Sequence, residues 1–131
     1  MTNKTIPEII YGRFKALSDV GAERARQIRK GYDAAHDDAD EAGMHARAAA
    51  FYATCGYWQR AWGWSENPCL TVDKAELDSI ACQADVSLGY PWGDDTIRVE
   101  YSPRANLVKA AALLVAEIER IDRERENNDE N

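Results

Sequence analysis

The chain has 131 residues, 45% of them hydrophobic and 30% charged, and a formal net charge of −7. This length predicts one globular domain, and no segment approaches the run of about 20 apolar residues that crosses a membrane. The cysteines are three in number and never have C-x-x-C spacing, which argues against a disulfide framework or zinc knuckle and predicts small buried side chains.

Charge is distributed unevenly along the chain. Residues 1–30 carry seven basic and three acidic side chains, so the acidic excess lies in the remainder. An acidic surface repels phosphates, which argues against duplex DNA as a partner. The N-terminus has no basic segment followed by a long apolar one, so no secretory signal is expected and the predicted location is the cytoplasm.

The first helical pattern begins near Pro7, a residue that suits a first helical position. Ser18 or Asp19 can cap either a continuation or a second helix, which ends at Gly31 in the left-handed conformation. The basic side chains of this segment are Arg24, Arg26, Arg29 and Lys30. They form either a solvated face, which is the expectation, or a surface that binds phosphate.

The stretch GYDAAHDDADEAG, residues 31–43, surrounds one histidine with acidic residues. In a helix, His36 and Asp40 share one face, and such a pair can ligate Mg²⁺, Mn²⁺ or a transition ion. The alternative is a solvated acidic helix start, in which the helix dipole favours each charge by roughly 0.3–1 kcal/mol. The candidate metal ligands are His36, Asp37, Asp38 and Asp40.

Two helices are predicted in the middle of the chain. One covers residues 40–58 and is rich in alanine, which lets a neighbouring helix approach closely. The other covers residues 69–85 and has the acidic pattern of a capping box near its start. Residues 56–68 are expected to form an irregular, aromatic-rich loop between them, and residues 96–101 an extended segment lying on the helices.

The last helix is predicted to have Ser102 as its N-cap and Pro103 as its first residue. Apolar residues follow in steps of four, three, four and three at Leu107, Ala111, Leu114, Ile118 and Ile121. Because residues 107–116 are apolar almost all round, we expect them in the centre of a bundle or in an oligomer interface, and we expect a homodimer through this helix. Residues 1–125 then form one helical domain, and residues 126–131 a disordered acidic tail.

The tryptophans allow two interpretations. They are Trp58, Trp62, Trp64 and Trp92. Such residues plug the ends of small helical cores, each burying about 150–250 Å², and this is the expectation. The alternative is a stacking platform for a base.

Three stretches together resemble a group of short phage and prophage proteins. They are "ERARQIRKGYDAAHDD" (23–38), "ARAAAFYA" (46–53) and "SPRANLVKAAALLVAEIERIDR" (102–123), with "YPW" (90–92) between the last two. Members share an E-R-x-R-Q opening, an H-D-D after an aromatic residue, and a closing R-x-N/D-L-V-K-A-x-A-L helix. That group is in turn distantly similar to the MazG-like all-α nucleoside triphosphate pyrophosphohydrolases. The resemblance implies an all-α, compact helical bundle.

The chain departs from the MazG-like pattern at the metal ligands. In that family, carboxylates on two helices hold the Mg²⁺ that activates water. Here the expected acidic helix reads Ala46–Tyr52, and the acidic positions of the last helix are Asn106 and Lys109. A lysine repels Mg²⁺, so standard catalysis is not expected. Alternative ligands would come from the His36 cluster or from Glu117, Glu119 and Asp122.

Two functions of different classes follow. The first is a phage accessory protein that binds a nucleotide, with Mg²⁺ or Mn²⁺ as the only cofactors considered. The second is an acidic counter-defence inhibitor of the anti-CRISPR type, which binds and blocks a host defence protein in the host cytoplasm. The candidate ligand-binding residues are Glu23, Arg26, Trp58, Trp92, Asn106 and Lys109.

Overall fold

The computed structural model describes residues 5–32, 36, 39, 43–64, 74–88, 90–93 and 96–130. The elements are α1 (Ile6–Arg29), α2 (Met44–Ala61), α3 (Lys74–Leu88) and α4 (Pro103–Glu130). No strand occurs in this described part, so the predicted all-α helical class is confirmed. None of the described helices is long and apolar enough to cross a membrane.

Helix α1 is one continuous helix rather than two. Asp19 does not cap a second piece; it lies inside the helix, where its carboxylate accepts hydrogen bonds from Lys15 Nζ at 3.0 Å and Arg104 Nη2 at 2.8 Å. These two bonds, chiefly the one from Lys15, lower the pKa of the Asp19 carboxyl. Helix α1 ends at Arg29, and Gly31 follows it, as predicted, in the left-handed conformation that favours glycine, with a φ of 104°.

Helix α2 extends further than the sequence indicates, to Ala61. Residues 59–61, beyond the predicted helix end at Trp58, were expected in the aromatic-rich loop, and that prediction is wrong because Gly56 does not end the helix. Gly56 instead permits a close approach of α4: a Cβ built on it would lie 2.9 Å from Leu107 Cδ2 and 3.3 Å from the Pro103 carbonyl oxygen. The glycine is therefore a packing residue.

The core lies where α2 packs between α3 and α4, while α1 packs on α4. Its buried members are Ala48, Ala49, Phe51, Tyr52, Cys55, Ile80, Ala84, Ala110 and Leu113. Trp58, Trp64 and Trp92 are partly buried against it, as predicted for core-plugging aromatics. Trp62 is 47% exposed and does not follow that prediction, because it lies beyond the last turn of α2.

The segment before α4 is extended, as predicted, and lies on the helices. Ile97 and Val99 pack against the core, and the alternate residues of the segment face outward. A buried amide fixes the segment: Asn106 Nδ2 donates to Gln59 Oε1 at 2.7 Å and to the Glu100 carbonyl at 2.9 Å, and its Oδ1 accepts the Glu100 N–H at 2.8 Å. This network joins α2, α4 and the segment.

Helix α4 has the predicted N-cap, since the Ser102 Oγ accepts the Ala105 N–H at 3.1 Å. The helix continues to Glu130, so residues 126–130 are helical in the structure. A helix already nucleated by packing extends at low cost through polar residues, because each added residue gains a backbone hydrogen bond.

The cysteines differ in exposure. Cys55 is fully buried, as predicted, whereas Cys82 is exposed on the outer face of α3, so the prediction is wrong for Cys82. Cys69 lies outside the described residues.

Candidate functional site

A cavity of about 690 Å³ opens beside the C-terminal end of α1, between that helix, α2, residues 90–93 and 96–100, and α4. Its basic lining residues are Arg24, Arg26, Lys30, Arg98 and Lys109, and its aromatic and imidazole residues are Tyr32, Tyr52, Tyr90, Trp92, His36 and His45. Glu100 is the only carboxylate among the described lining residues. The cavity is therefore basic, although the chain as a whole carries −7.

One wall of the cavity is aromatic. The Tyr52 and Tyr90 rings are 6.0 Å apart, Tyr90 and Trp92 are 5.8 Å apart, and Trp92 and His45 are 5.3 Å apart, all near edge-to-face. The Trp92 Nε1 is buried and hydrogen-bonds to no described residue. A row of edge-to-face rings offers π faces on which a flat ligand can stack.

A second wall of the cavity is basic and comes from the last turns of α1. Arg24 is only 7% exposed; its Nε donates to Glu119 Oε1 at 3.0 Å and its Nη1 to the Tyr32 carbonyl at 3.0 Å. The prediction of a solvated basic face is therefore wrong for Arg24, although Arg29 and Lys30 are exposed. Cations at a helix C-terminus also interact favourably with the helix dipole.

Arg26 and Glu23 form a bidentate ion pair on this wall, with nitrogen–oxygen distances of 2.7 and 2.6 Å. Burial alone would raise the pKa of the Glu23 carboxyl, but hydrogen bonds from Arg26 and Gln27, with the charges of Arg26 and Lys109, together outweigh burial and lower that pKa. The hydrogen bond with Glu23 raises the pKa of Arg26. Both groups are held ionised, and the Arg26 guanidinium borders the cavity with a fixed orientation.

Lys109 stands at the floor of the cavity and is 8% exposed. Its Nζ donates to the Arg98 carbonyl and, at 3.0 Å, to Glu100 Oε1, and it lies 4.8 Å from the centre of the Tyr52 ring. The resemblance places a metal-binding carboxylate at this helix position. The buried ammonium group, paired with Glu100, makes this position unsuited to Mg²⁺.

His45 is a site residue that the sequence did not reveal. It is 2% exposed, and its Nδ1 is 3.8 Å from Glu117 Oε2, while Glu117 Oε1 accepts the Gly43 N–H at 3.1 Å. The one signal in the sequence that could have pointed to His45 is that the chain has only two histidines. The structure shows that both of them line the cavity. Nothing in the spacing of the two histidines along the chain indicates that they would share a site.

The predicted ligand-binding residues divide into two groups. Arg26, Trp92 and Lys109 line the cavity; Glu23 holds Arg26 in place. Trp58 and Asn106 are not among the lining residues, and Asn106 is fully engaged in the core network.

Of the predicted metal ligands, His36 is described; it is exposed, lines the cavity and meets the Tyr32 ring edge-on at 4.9 Å. Asp37, Asp38 and Asp40 lie outside the described residues. Within the described part of the chain, no group of three His, Cys, Asp or Glu residues is arranged to hold a metal ion. Glu117 and Glu119, the alternative ligands, instead lie beside His45 and Arg24.

The fold and the cavity together define a small helical-bundle protein with a basic, aromatic-lined site. Comparison of the chain with protein-family models, with curated proteins and with solved structures finds no match.

Proposed function

We propose that the protein is a phage accessory protein of MazG-like fold that binds a nucleotide in this cavity, without the standard Mg²⁺–carboxylate catalysis. The observation that carries the proposal is the pairing of a cationic wall and floor with an aromatic wall in an otherwise acidic chain. The phage origin and the MazG-like fold rest on the sequence resemblance alone.

The two walls suit the two parts of a nucleotide. A base can pack on Tyr90 and Trp92, where stacking contributes about 1–3 kcal/mol per base. Phosphates can reach Arg26 and Lys30 across the cavity, where charge-assisted hydrogen bonds are about twice as strong as neutral ones. A volume of about 690 Å³ falls within the range typical of small-molecule sites.

The carboxylates around the cavity favour binding over hydrolysis. Glu23 is paired with Arg26, Glu119 with Arg24, and Glu100 with Lys109. A carboxylate that neutralises an arginine or lysine is a poor metal ligand, because the neighbouring cation repels the ion. The bound phosphates would therefore contact protein cations directly rather than through Mg²⁺.

Thermal denaturation with a nucleotide panel tests the proposal. A ligand that binds the folded state raises the melting temperature, since it adds RT ln(1 + [L]/Kd) to the free energy of unfolding. We expect one class of nucleotide to raise it, with Mg²⁺ or Mn²⁺ alone giving no comparable rise. No change with any nucleotide would reject the proposal.

The second candidate function is counter-defence, in which the protein binds and blocks a host protein. A separate observation favours it: Phe14 and Leu17 of α1 are 64% and 62% exposed, which is unusual for large apolar side chains one turn apart. If this surface binds a host protein, the Phe14→Glu, Leu17→Glu double variant loses a stoichiometric partner from host lysate that wild type and an Ile28→Glu control retain. Absence of any such partner for the wild type counts against this function.

A further inference from the structure

Most of the positive charge that lines the cavity is already neutralised within the chain. Five lysine and arginine side chains line it. Three of them lie within 3.0 Å of a carboxylate: Arg24 of Glu119, Arg26 of Glu23, and Lys109 of Glu100. Each of these pairs is electrically neutral as a unit. Among the described lining residues, at most two, Lys30 and Arg98, therefore supply net positive charge.

A paired cation attracts a ligand anion much less than a lone cation does. The anion is drawn to the cation and repelled by the carboxylate about 3 Å away, so the two Coulomb energies largely cancel. Hydrogen bonding is still possible, as Arg26 shows. It gives its Nε and Nη2 hydrogens to Glu23 at 2.7 and 2.6 Å, so its Nη1 remains for a ligand. Such a pair can orient one phosphate, but it cannot neutralise several.

Lys30 differs from the paired cations. In the described part of the chain, its Nζ makes no ion pair and no side-chain hydrogen bond. It lines the cavity together with Tyr32 and His36, and all three side chains are exposed, so this side of the cavity is open to solvent. A phosphate here keeps part of its hydration while Lys30 neutralises one of its charges.

The charge of the site matches a nucleotide with one phosphate. A phosphate monoester carries about −2 at pH 8, and each further phosphate adds about one negative charge. A triphosphate would therefore leave several charges without a cation, in a chain whose own net charge is −7.

We propose that the site takes a nucleoside monophosphate, with its phosphate at Lys30 and Arg26 Nη1, and selects against the triphosphate. This inference rests on the proposed nucleotide-binding function and names the ligand class of that site. Mg²⁺ would neutralise a triphosphate elsewhere, but Glu23, Glu100 and Glu119 are each paired with a cation here.

Calorimetric titration at pH 8 in EDTA tests the ligand class. The probes are the nucleoside, the 5′-monophosphate and the 5′-triphosphate of adenine, guanine, cytosine and uracil. For the base that binds, the monophosphate should bind roughly tenfold more tightly than the triphosphate, and more tightly than the nucleoside.

The outcomes separate this inference from the function on which it rests. A triphosphate that binds at least as tightly as the monophosphate overturns the inference and leaves nucleotide binding standing. A nucleoside that binds as tightly as the monophosphate overturns it as well, because the phosphate is then not recognised. If no probe binds, the nucleotide-binding function is rejected, and the inference with it.

A Glu100→Gln variant tests whether the paired charges cause the preference. It keeps the size of the side chain but removes the charge that neutralises Lys109, so triphosphate affinity should rise more than monophosphate affinity. The preference for the monophosphate should fall at least about threefold. Glu124→Gln is the matched control, because Glu124 is exposed and is not among the lining residues, and it should leave the preference unchanged. An unchanged preference in Glu100→Gln, or an equal fall in both variants, overturns the inference.

Discussion

The two described cysteines differ in environment, and the difference predicts their reactivity. Burial raises the pKa of the Cys55 thiol to about 12, whereas Cys82 is exposed. Since the thiolate is the reactive species, we expect a thiol reagent at pH 8 to modify Cys82 in the native protein and Cys55 only after unfolding. Peptide mapping by mass spectrometry identifies which of the two cysteines is modified. Modification of Cys55 at the rate of Cys82 would contradict its place in the core.

The Glu23–Arg26 pair predicts a pH dependence of stability. The pKa of Glu23 is lowered below its ordinary value of 4.5, so the stabilisation by its charge is present above that value and is lost as the pH falls through the lower folded-state pKa. The difference in unfolding free energy between wild type and Glu23→Gln should therefore be largest near pH 7 and shrink below pH ~4.5. Urea titrations at several pH values measure it. A difference that does not change with pH would indicate that the ion pair contributes nothing.

At the scale of elements, two helical glycines should respond oppositely to alanine. A Cβ on Gly21 meets nothing within 4 Å, so Gly21→Ala should stabilise α1 by roughly 0.5–1 kcal/mol. A Cβ on Gly56 meets Leu107 Cδ2 at 2.9 Å and the Pro103 carbonyl oxygen at 3.3 Å. Overpacking costs about 1–3 kcal/mol, so Gly56→Ala should lose about 1 kcal/mol despite the better helix propensity. Equal changes in the two midpoints of urea unfolding would refute the close α2–α4 contact.

The same glycine shows what the sequence could and could not predict. Periodicity and capping identified all four described helices, because a repeat of 3.6 residues and Ser102 or Gly31 at an end are local signals. A glycine that ends a helix and one that admits a neighbouring helix look alike in sequence, so α2 was predicted to end before Ala61. Periodicity likewise places Leu107, Leu114 and Ile118 on one face of α4, but it does not say whether that face is buried.

At the scale of the whole molecule, the cavity is assembled from segments far apart in the chain. Only the fold brings together Arg26 of α1, His45 of α2, Trp92 of residues 90–93, and Lys109 of α4. The sequence indicated Arg26 and Trp92 as candidates from residue type and Lys109 through the family resemblance, but it could not place them together or reveal His45. The sequence also could not reveal the ion pairs that hold the site residues. Arg24, for example, pairs with Glu119 on another helix, and no local pattern shows such a partner.

Two neighbouring cations provide a matched test of the cavity. Lys30 lines it and Arg29 does not, although both are exposed at the end of α1. Lys30→Ala should weaken nucleotide binding about five- to tenfold, because it removes an exposed charge-assisted contact worth about 1–1.4 kcal/mol. Arg29→Ala should change the affinity by less than about twofold, since only distant, screened charge is lost. Equal losses would indicate a general electrostatic effect rather than a site.

Isothermal titration calorimetry of the wild-type protein with the nucleotide class that raises the melting temperature, in Mg²⁺ and again in EDTA, tests nucleotide binding most directly. Because we propose that protein cations rather than a metal contact the phosphates, we predict saturable binding of one nucleotide per chain that persists in EDTA. Absence of binding in both buffers, or binding that requires Mg²⁺, would contradict it.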